Sequence, residues 1–214
     1  MIVKDCMTRN PVYIAPDASV TDARVLMSKE KIGKLPVLDR DNKLVGIITK
    51  NDLIKVGPSS ATSLDMYEIG YLLSKLRVEK VMTKKVIVTN PDEVMEEAAR
   101  IMVDENIGCL PVLDDELLVG IVTESDLFRV FINIFGARHS GLRATFFLDE
   151  KPGQLAKVTQ RIAELGGNIV STVTADADIP SRRRITVKVT ILTIEQMREI
   201  LKEVDAEEED LRII

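Results

Sequence analysis

The sequence predicts a mixed α/β (α+β) protein in two parts, a pair of β-α-β-β-α repeats followed by a β-α-β-β-α-β plait. Three observations lead there. A block of motifs occurs twice at near-constant spacing, the apolar pattern changes beyond residues 136–141, and each part alternates strand-like with helix-like periodicity.

The repeat is read directly. Val3-Lys4-Asp5-Cys6-Met7-Thr8 returns 75 positions on as Val78-Glu79-Lys80-Val81-Met82-Thr83. Ile32-Gly33-Lys34-Leu35-Pro36-Val37-Leu38-Asp39 returns at the same spacing as Ile107-Gly108-Cys109-Leu110-Pro111-Val112-Leu113-Asp114. Past a turn that is one residue shorter in the second copy, Gly46-Ile47-Ile48-Thr49-Lys50-Asn51-Asp52-Leu53 reappears as Gly120-Ile121-Val122-Thr123-Glu124-Ser125-Asp126-Leu127. A deletion confined to a hairpin tip is what two copies of one fold tolerate.

Within each copy the elements follow in order. A short strand is expected at residues 12–14 and again at 86–88. Pro-Asp then leads to a helix, which in the first copy carries a Ser19/Asp22 capping pattern and Val20, Ala23 and Met27 at helical spacing. Two β-branched strands joined by a turn come next, the second at 44–48. Asp52 and Asp126 open the closing helices, the latter running towards Phe135. One copy is too small to bury both faces of its sheet. Pairing two copies about a pseudo-twofold axis solves this and creates two clefts.

Residues 57–63 read as a turn-rich linker, and a helix is expected from Leu64 to Leu76. Residues 136–141 read as a hinge. Beyond it come a strand at 142–148, and a helix with Leu155, Val158, Ile162 and Leu165 on one face. A strand follows from Gly166-Gly167-Asn168-Ile169 to about Ala175. A strand at 184–192 places Ile185, Val187, Val189 and Ile191 on one face, and a short helix from Ile194 and a strand at 211–214 close the plait. The domain limits expected are 1–56 and 78–135 for the repeats, 57–77 for the connection, 136–141 for the hinge and 142–214 for the plait.

The net charge of −5, from 29 basic and 34 acidic residues, argues against nucleic acid or an anionic membrane surface as partner. Arg182-Arg183-Arg184 reads as a solvated hairpin tip without interleaved aromatics. The most apolar run, 117–135, is broken by Glu124, Asp126 and Arg129, too charged for a membrane span. No signal pattern opens the sequence, and a cytoplasmic protein is expected. Two cysteines, Cys6 and Cys109, and a single histidine, His139, supply neither a disulfide framework nor a metal site. With no Ser-His-Asp set, no Cys-His pair and no phosphate-binding glycine loop, an enzyme is not expected.

The Gly-h-h-Thr-x-x-Asp strand ends (h, hydrophobic), each preceded by Gly-x-Leu-Pro-Val-h-Asp, resemble the cystathionine-β-synthase (CBS) domain, and two in tandem resemble a Bateman module. The resemblance covers roughly residues 1–135. It implies clefts that bind AMP, ADP, ATP, S-adenosylmethionine or related adenosyl ligands, with no required cofactor. In that family the Asp takes the ribose hydroxyls and the Thr reaches ribose or phosphate, here Thr49 and Asp52 in one cleft and Thr123 and Asp126 in the other. A strand-to-helix junction suits this chemistry, because free backbone N–H groups can face an anion and an ionised carboxylate accepts a diol. Strand residues, including Tyr13, Ile14 and Ile87, would flank the base. Main-chain groups of Lys34-Leu35-Pro36 and Cys109-Leu110-Pro111 would read its edge. The same Asp residues also make good helix N-caps, so a purely structural use stands beside the ligand-binding one. The copies differ where Lys34 becomes Cys109, Arg9-Asn10 becomes Lys84-Lys85 and Lys50-Asn51 becomes Glu124-Ser125. A phosphate would therefore prefer the cleft with Thr49, Asp52, Lys34 and Arg9, if those cations point inward.

In the plait, Asp149-Glu150-Lys151-Pro152-Gly153-Gln154-Leu155 and Gly167-Asn168-Ile169 resemble the ACT domain of ferredoxin-like fold, with one extra residue before Pro-Gly. The resemblance implies an amino acid or similar small ligand at a paired-domain interface. The loop would be carried by Asp149, Pro152, Gly153, Gln154, Leu155, Asn168 and Ile169. Dimerisation alone is the competing use. The repeat-repeat-plait order, together with 61–64 and 71–76, is similar to the acetoin-utilisation protein B family. The function implied is a regulatory, homodimeric ligand sensor acting on an unidentified protein. A non-catalytic adaptor that dimerises through the plait and needs no nucleotide is the alternative.

Overall fold

The computed structural model describes residues 1–56 and 65–214. The linker expected at 57–63, and Leu64 at the head of the helix after it, lie outside the described residues. The chain divides into two compact units, Met1–Leu127 and Phe128–Ile214.

The first unit opens with helix α1 (Val3–Cys6), strand β1 (Thr8–Arg9), helix α2 (Val20–Lys29), strands β2 (Lys34–Leu38) and β3 (Leu44–Thr49), and helix α3 (Lys50–Lys55). Helix α4 (Met66–Lys75) and a 3-10 turn at Val78–Lys80 lead into α5 (Met95–Asp104), β4 (Cys109–Asp114) and β5 (Leu117–Thr123), and α6 (Glu124–Ile134) starts in this unit and runs on into the second. Ser19 caps α2 by accepting the Asp22 amide at 3.0 Å, while Asp22 accepts the Ser19 amide at 3.0 Å. Val20, Ala23 and Met27 then point inward, as their helical spacing requires. Strand pairs β2–β3 and β4–β5 are antiparallel, and each carries a bulge at the repeat-related step, Val37/Leu38 and Val112/Leu113.

The two copies exchange their leading segments. Strand β1 pairs with β5 of the second copy, while Thr83 bridges Ile47 on β3 of the first. The hydrogen bonds come in matched sets. Val3 N donates to Glu93 O at 2.8 Å and Val78 N to Ala18 O at 2.9 Å; Lys4 N donates to Pro91 O at 2.9 Å and Glu79 N to Pro16 O at 3.0 Å. The methionines follow suit. A side chain on Gly120 would collide with the Met7 sulfur, and one on Gly46 with the Met82 sulfur. Each glycine is therefore where the other copy's methionine docks.

The strands expected at 12–14 and 86–88 shrink to single bridges, Ile14 to Val37 and Thr89 to Val112. Proline is the reason. Ile14 N donates to Pro36 O at 3.0 Å, and Thr89 N to Pro111 O at 3.0 Å. Pro36 and Pro111 have no N–H to return on that edge, so the ladder stops after one rung. The helix expected from Leu64 is described as Met66–Lys75. Asp65 caps it by accepting the amides of Tyr67 and Glu68, each at 2.8 Å. Leu73 and Leu76 pack on the core of the first copy, whereas Tyr67 and Tyr71 stay exposed.

The second unit contains β6 (Leu142–Asp149), α7 (Gln154–Glu164), β7 (Asn168–Asp176), β8 (Arg182–Thr190), α8 (Ile194–Glu203) and β9 (Glu207–Ile213). One antiparallel sheet runs β7-β8-β6-β9. Its inner face, with Phe146, Leu148, Ile185 and Val187, buries against Val158 and Ile162 of α7 and Met197, Ile200 and Leu201 of α8. Removing Phe146 from water contributes roughly 2–3 kcal/mol. At the entry to this unit, Ser171 Oγ donates to Phe135 O at 3.2 Å and Lys188 Nζ to Gly136 O at 2.8 Å. Gly141 and Ile214 exchange amide bonds at 2.9 and 3.0 Å.

Three expectations for the plait are corrected. Ile191 does not continue the inner face, because β8 ends at Thr190 and Ile191 turns outward at φ 80°, leaving Leu192 to fill the core. The last strand begins at Glu207 rather than Leu211. Arg182-Arg183-Arg184, expected as a solvated hairpin tip, instead opens β8 and is ion-paired, in part with the acidic run at the start of β9. Arg182 binds Glu207, Arg184 holds Glu209 at 2.5 Å, and Arg198 holds Glu208 at 2.9 Å.

Candidate functional site

The strand-to-helix junction at the end of β3 is a reciprocal cap. Thr49 is the N-cap of α3 and Asp52 its third residue, not the opener expected. Asp52 Oδ2 accepts the Thr49 amide at 2.9 Å and the Thr49 hydroxyl at 2.7 Å. The hydroxyl in turn accepts the Asp52 amide at 3.3 Å. Among the described residues Asp52 Oδ1 has no hydrogen bond, so it can accept from a diol without breaking the cap.

Thr49 and Asp52 line a cleft of about 850 Å³, large enough for a nucleotide. Its walls come from both copies. Gly33, Lys34, Ile47, Lys50 and Lys55 belong to the first; Thr83, Lys85, Val86, Ile87, Gly108, Cys109 and Glu124 belong to the second. The segment exchange causes the mixing, because the Thr83–Ile47 bridge lays the second copy's leading segment beside the first copy's motif.

Of the residues expected here, the cleft gathers Lys34, Thr49, Asp52, Ile87 and Cys109. Leu35, Pro36, Leu110 and Pro111 are buried in the sheets, so their side chains are core, while Ile14 is buried and Tyr13 is half exposed away from the cleft lining. Arg9 is corrected. It lies on β1 opposite Gly120, and its guanidinium donates to Lys4 O at 3.4 Å. Cys109 pairs with Thr123 across β4 and β5, as expected beside that motif, and also lines the first cleft with Lys34 and Glu124. Burial pushes its thiol up to about 11, against a weaker opposing pull from Lys34. A thiol so held is a packing group, not a nucleophile.

The second motif differs in the burial of its carboxylate. Asp126 Oδ2 accepts the Thr123 amide at 2.8 Å and hydroxyl at 2.7 Å, and the residue is 2% exposed. Its cap is the counterpart of the first, with Thr123 half-buried like Thr49 but Asp126 buried where Asp52 is half-buried.

In the second unit a shallow pocket of about 310 Å³ gathers Asp149, Gln154 and Leu155 with Glu150, Lys151, Thr174 and Arg183. Gly153, at φ 84°, is the N-cap of α7, a left-handed position that glycine takes without strain. The Lys151 ammonium lowers the Asp149 carboxyl, and Arg183 pairs with Glu150 at 2.5 Å. Pro152 lies in the adjoining turn. Asn168 and Ile169 do not join this pocket. They start β7, whereas Thr174 of the pocket lies six residues along it, roughly 20 Å away.

A family model described as "CBS domain" matches residues 3–59 and 78–133, more than half of the chain. The chain belongs to the CBS domain family. Among similar proteins is "Uncharacterized protein MJ1426" of Methanocaldococcus jannaschii, 37% identical over 155 residues, covering 62% of this chain and 92% of that one. The L-aspartate semialdehyde sulfurtransferase of the same organism is 34% identical over 131 residues, but the chain spans only 23% of its length. Three solved structures are similar. The CBS domain pair of MJ0100, in complex with 5′-methylthioadenosine and S-adenosylmethionine, has TM-score 0.52 and 32% identity, covering 65% of this chain and 98% of that one. CBSX2 in complex with AMP has TM-score 0.52 and 32% identity, covering 62% and 97%. A putative acetoin utilization protein (AcuB) from Vibrio cholerae has TM-score 0.54 and 31% identity, covering 64% and 95%.

Sequence reasoning missed Lys55 and Thr83 of the CBS cleft, and it placed Lys50, Lys85 and Glu124 without seeing that they meet. The signal lies in the repeat itself. Once leading segments are known to cross over, the residues after Thr83 must be read against Thr49, not Thr123. Among the described residues no helix is long and apolar enough to cross a membrane, and no three His, Cys, Asp or Glu side chains form a metal-binding group.

Proposed function

We propose that this CBS-pair protein is a regulatory sensor that takes an adenosyl nucleotide (AMP, ADP, ATP or S-adenosylmethionine) in the cleft of its first unit. One observation carries the reading. A threonine and a half-exposed aspartate stand at a helix N-terminus, facing apolar Ile87 and several lysines across a nucleotide-sized cleft. Asp52 would accept the ribose hydroxyls through Oδ1, Thr49 and the lysines would meet phosphate, and Val86 and Ile87 would flank the base. The adenosyl ligands bound by the similar CBS pairs support it. The burial of Asp126 favours one working cleft over two.

The second unit is read as an ACT-type ferredoxin-like domain, on its element order and the Pro152-Gly153 turn at the head of α7. It would serve dimerisation or hold an amino acid near Asp149 and Gln154, and residues 136–141 would relay the change in the first unit. For that relay to act, the nucleotide must bind two arrangements of the chain unequally.

Calorimetric titration of the full chain with AMP, ADP, ATP and S-adenosylmethionine tests the proposal. Saturable heat is expected with at least one, weakened by Asp52→Ala and little changed by Asp126→Ala in a variant shown to be folded. No heat with any adenosyl compound leaves the adaptor reading standing in its place.

A further inference from the structure

The cleft holds an ion pair that the repeat itself makes conspicuous. Lys34 donates to the Gly108 carbonyl of the other copy and lies 3.7 Å from Glu124 Oε2. Glu124 occupies the place that Lys50 holds in the first copy. Lys50 lies over Gly33, its Cδ 3.6 Å from where a methyl there would sit, and Glu124 lies over Gly108 with Oε2 2.5 Å from the corresponding point. At one of two pseudo-equivalent positions the charge has been reversed, and the reversed residue faces the cation of the opposite wall.

Around this pair the cleft lining sets four lysines, Lys34, Lys50, Lys55 and Lys85, against two carboxylates, Asp52 and Glu124. Asp52 is committed to its cap through one oxygen. Glu124 is the acid able to exchange partners. Its side chain is 62% exposed against 26% for Lys34, so solvent screens the pair and little is lost on breaking it. A phosphate brings more negative charge and more acceptor oxygens to the same ammonium than one carboxylate does.

We infer that the cleft selects its ligand by phosphate charge, and that Glu124, as internal counter-ion of Lys34, is the residue that sets this selectivity. The inference rests on the adenosyl reading of the site and narrows it. Polyphosphate adenosyl ligands displace Glu124 and gain the lysine wall. A nucleoside without phosphate gains neither, and a sulfonium adenosyl ligand, bearing positive charge, meets four ammonium groups.

The test is a calorimetric series of adenosine, AMP, ADP, ATP and S-adenosylmethionine at one ionic strength, on the full chain and on Glu124→Gln and Lys34→Gln. Affinity is expected to rise from adenosine through AMP to ATP, with S-adenosylmethionine weaker than AMP. Glu124→Gln is expected to tighten AMP, ADP and ATP about fivefold, the size of one solvent-screened contact between unit charges, without moving adenosine. Lys34→Gln should weaken the phosphorylated ligands and spare adenosine. Equal affinity for adenosine and ATP, or a Glu124→Gln effect as large on adenosine as on ATP, overturns the inference while leaving adenosyl binding intact. Silence from all five ligands overturns both.

Discussion

Asp126 holds both the amide and the hydroxyl of Thr123 within 2.8 Å from a position almost wholly out of solvent. Thr49 and Asp52 make the same cap half open. The same four-residue motif thus stands in two settings of different burial, and stability measurements separate them. Asp52→Ala is expected to cost about 1 kcal/mol, the loss of a helix cap. Asp126→Ala is expected to cost about 2–3 kcal/mol, because a buried carboxylate is removed together with its two charge-assisted hydrogen bonds to Thr123. Denaturant midpoints of the two variants decide this, and an Asp52 loss equal to or above the Asp126 loss refutes it.

Thr89 occupies the bridge position that Ile14 holds in the first copy, and its hydroxyl is buried without a hydrogen bond. Thr89→Val keeps the shape and removes the unpaired group. A gain of about 1 kcal/mol in unfolding free energy is expected. Destabilisation would mean that the hydroxyl is paired in solution.

Gly136 combines φ 57° with a sheet pressed against it. A methyl there would stand 2.8 Å from Val170 Cγ1. Gly136→Ala is therefore expected to destabilise the second unit by about 1–3 kcal/mol, through both backbone strain and overlap. Thermal unfolding checks it, and an unchanged midpoint would show that the segment docks otherwise.

Cys109 makes a prediction about pH. Its thiol is raised from 9.0 to about 11 by burial, so the protonated form is favoured in the folded chain. This contribution is complete below pH 9 and is lost as pH rises through about 11, where unfolding frees the thiolate. Mass spectrometry after brief iodoacetamide treatment at pH 8 is expected to find Cys109 unmodified in the folded chain and modified in urea. Rapid folded-state labelling would contradict the burial.

Much of this was legible in the residues. The repeat spacing, the Ser19/Asp22 cap and the alternation of Ile185, Val187 and Val189 are local patterns, and local hydrogen bonding and periodicity write them directly into the chain. The pairing of Arg182-Arg183-Arg184 was not, because a run of cations reads as a solvated tip until Glu207 and Glu209, distant in sequence, are brought beside it. Ile191 was misjudged because a single left-handed residue reverses the strand's alternation, and no apolar count reveals it.

The sequence by itself determined the CBS repeat, the residues of its two motifs and the elements that carry them. Which residues share a cleft was decided only in three dimensions. Two similar copies can pack with their leading segments kept or exchanged, and the local patterns are the same either way. Here the exchange puts Met7 on Gly120 and Met82 on Gly46, and the segment carrying Val86 and Ile87 comes to rest beside Thr49 and Asp52. Across the same cleft Glu124 faces Lys34. That juxtaposition, a matter of packing between copies, defines the charge of the site.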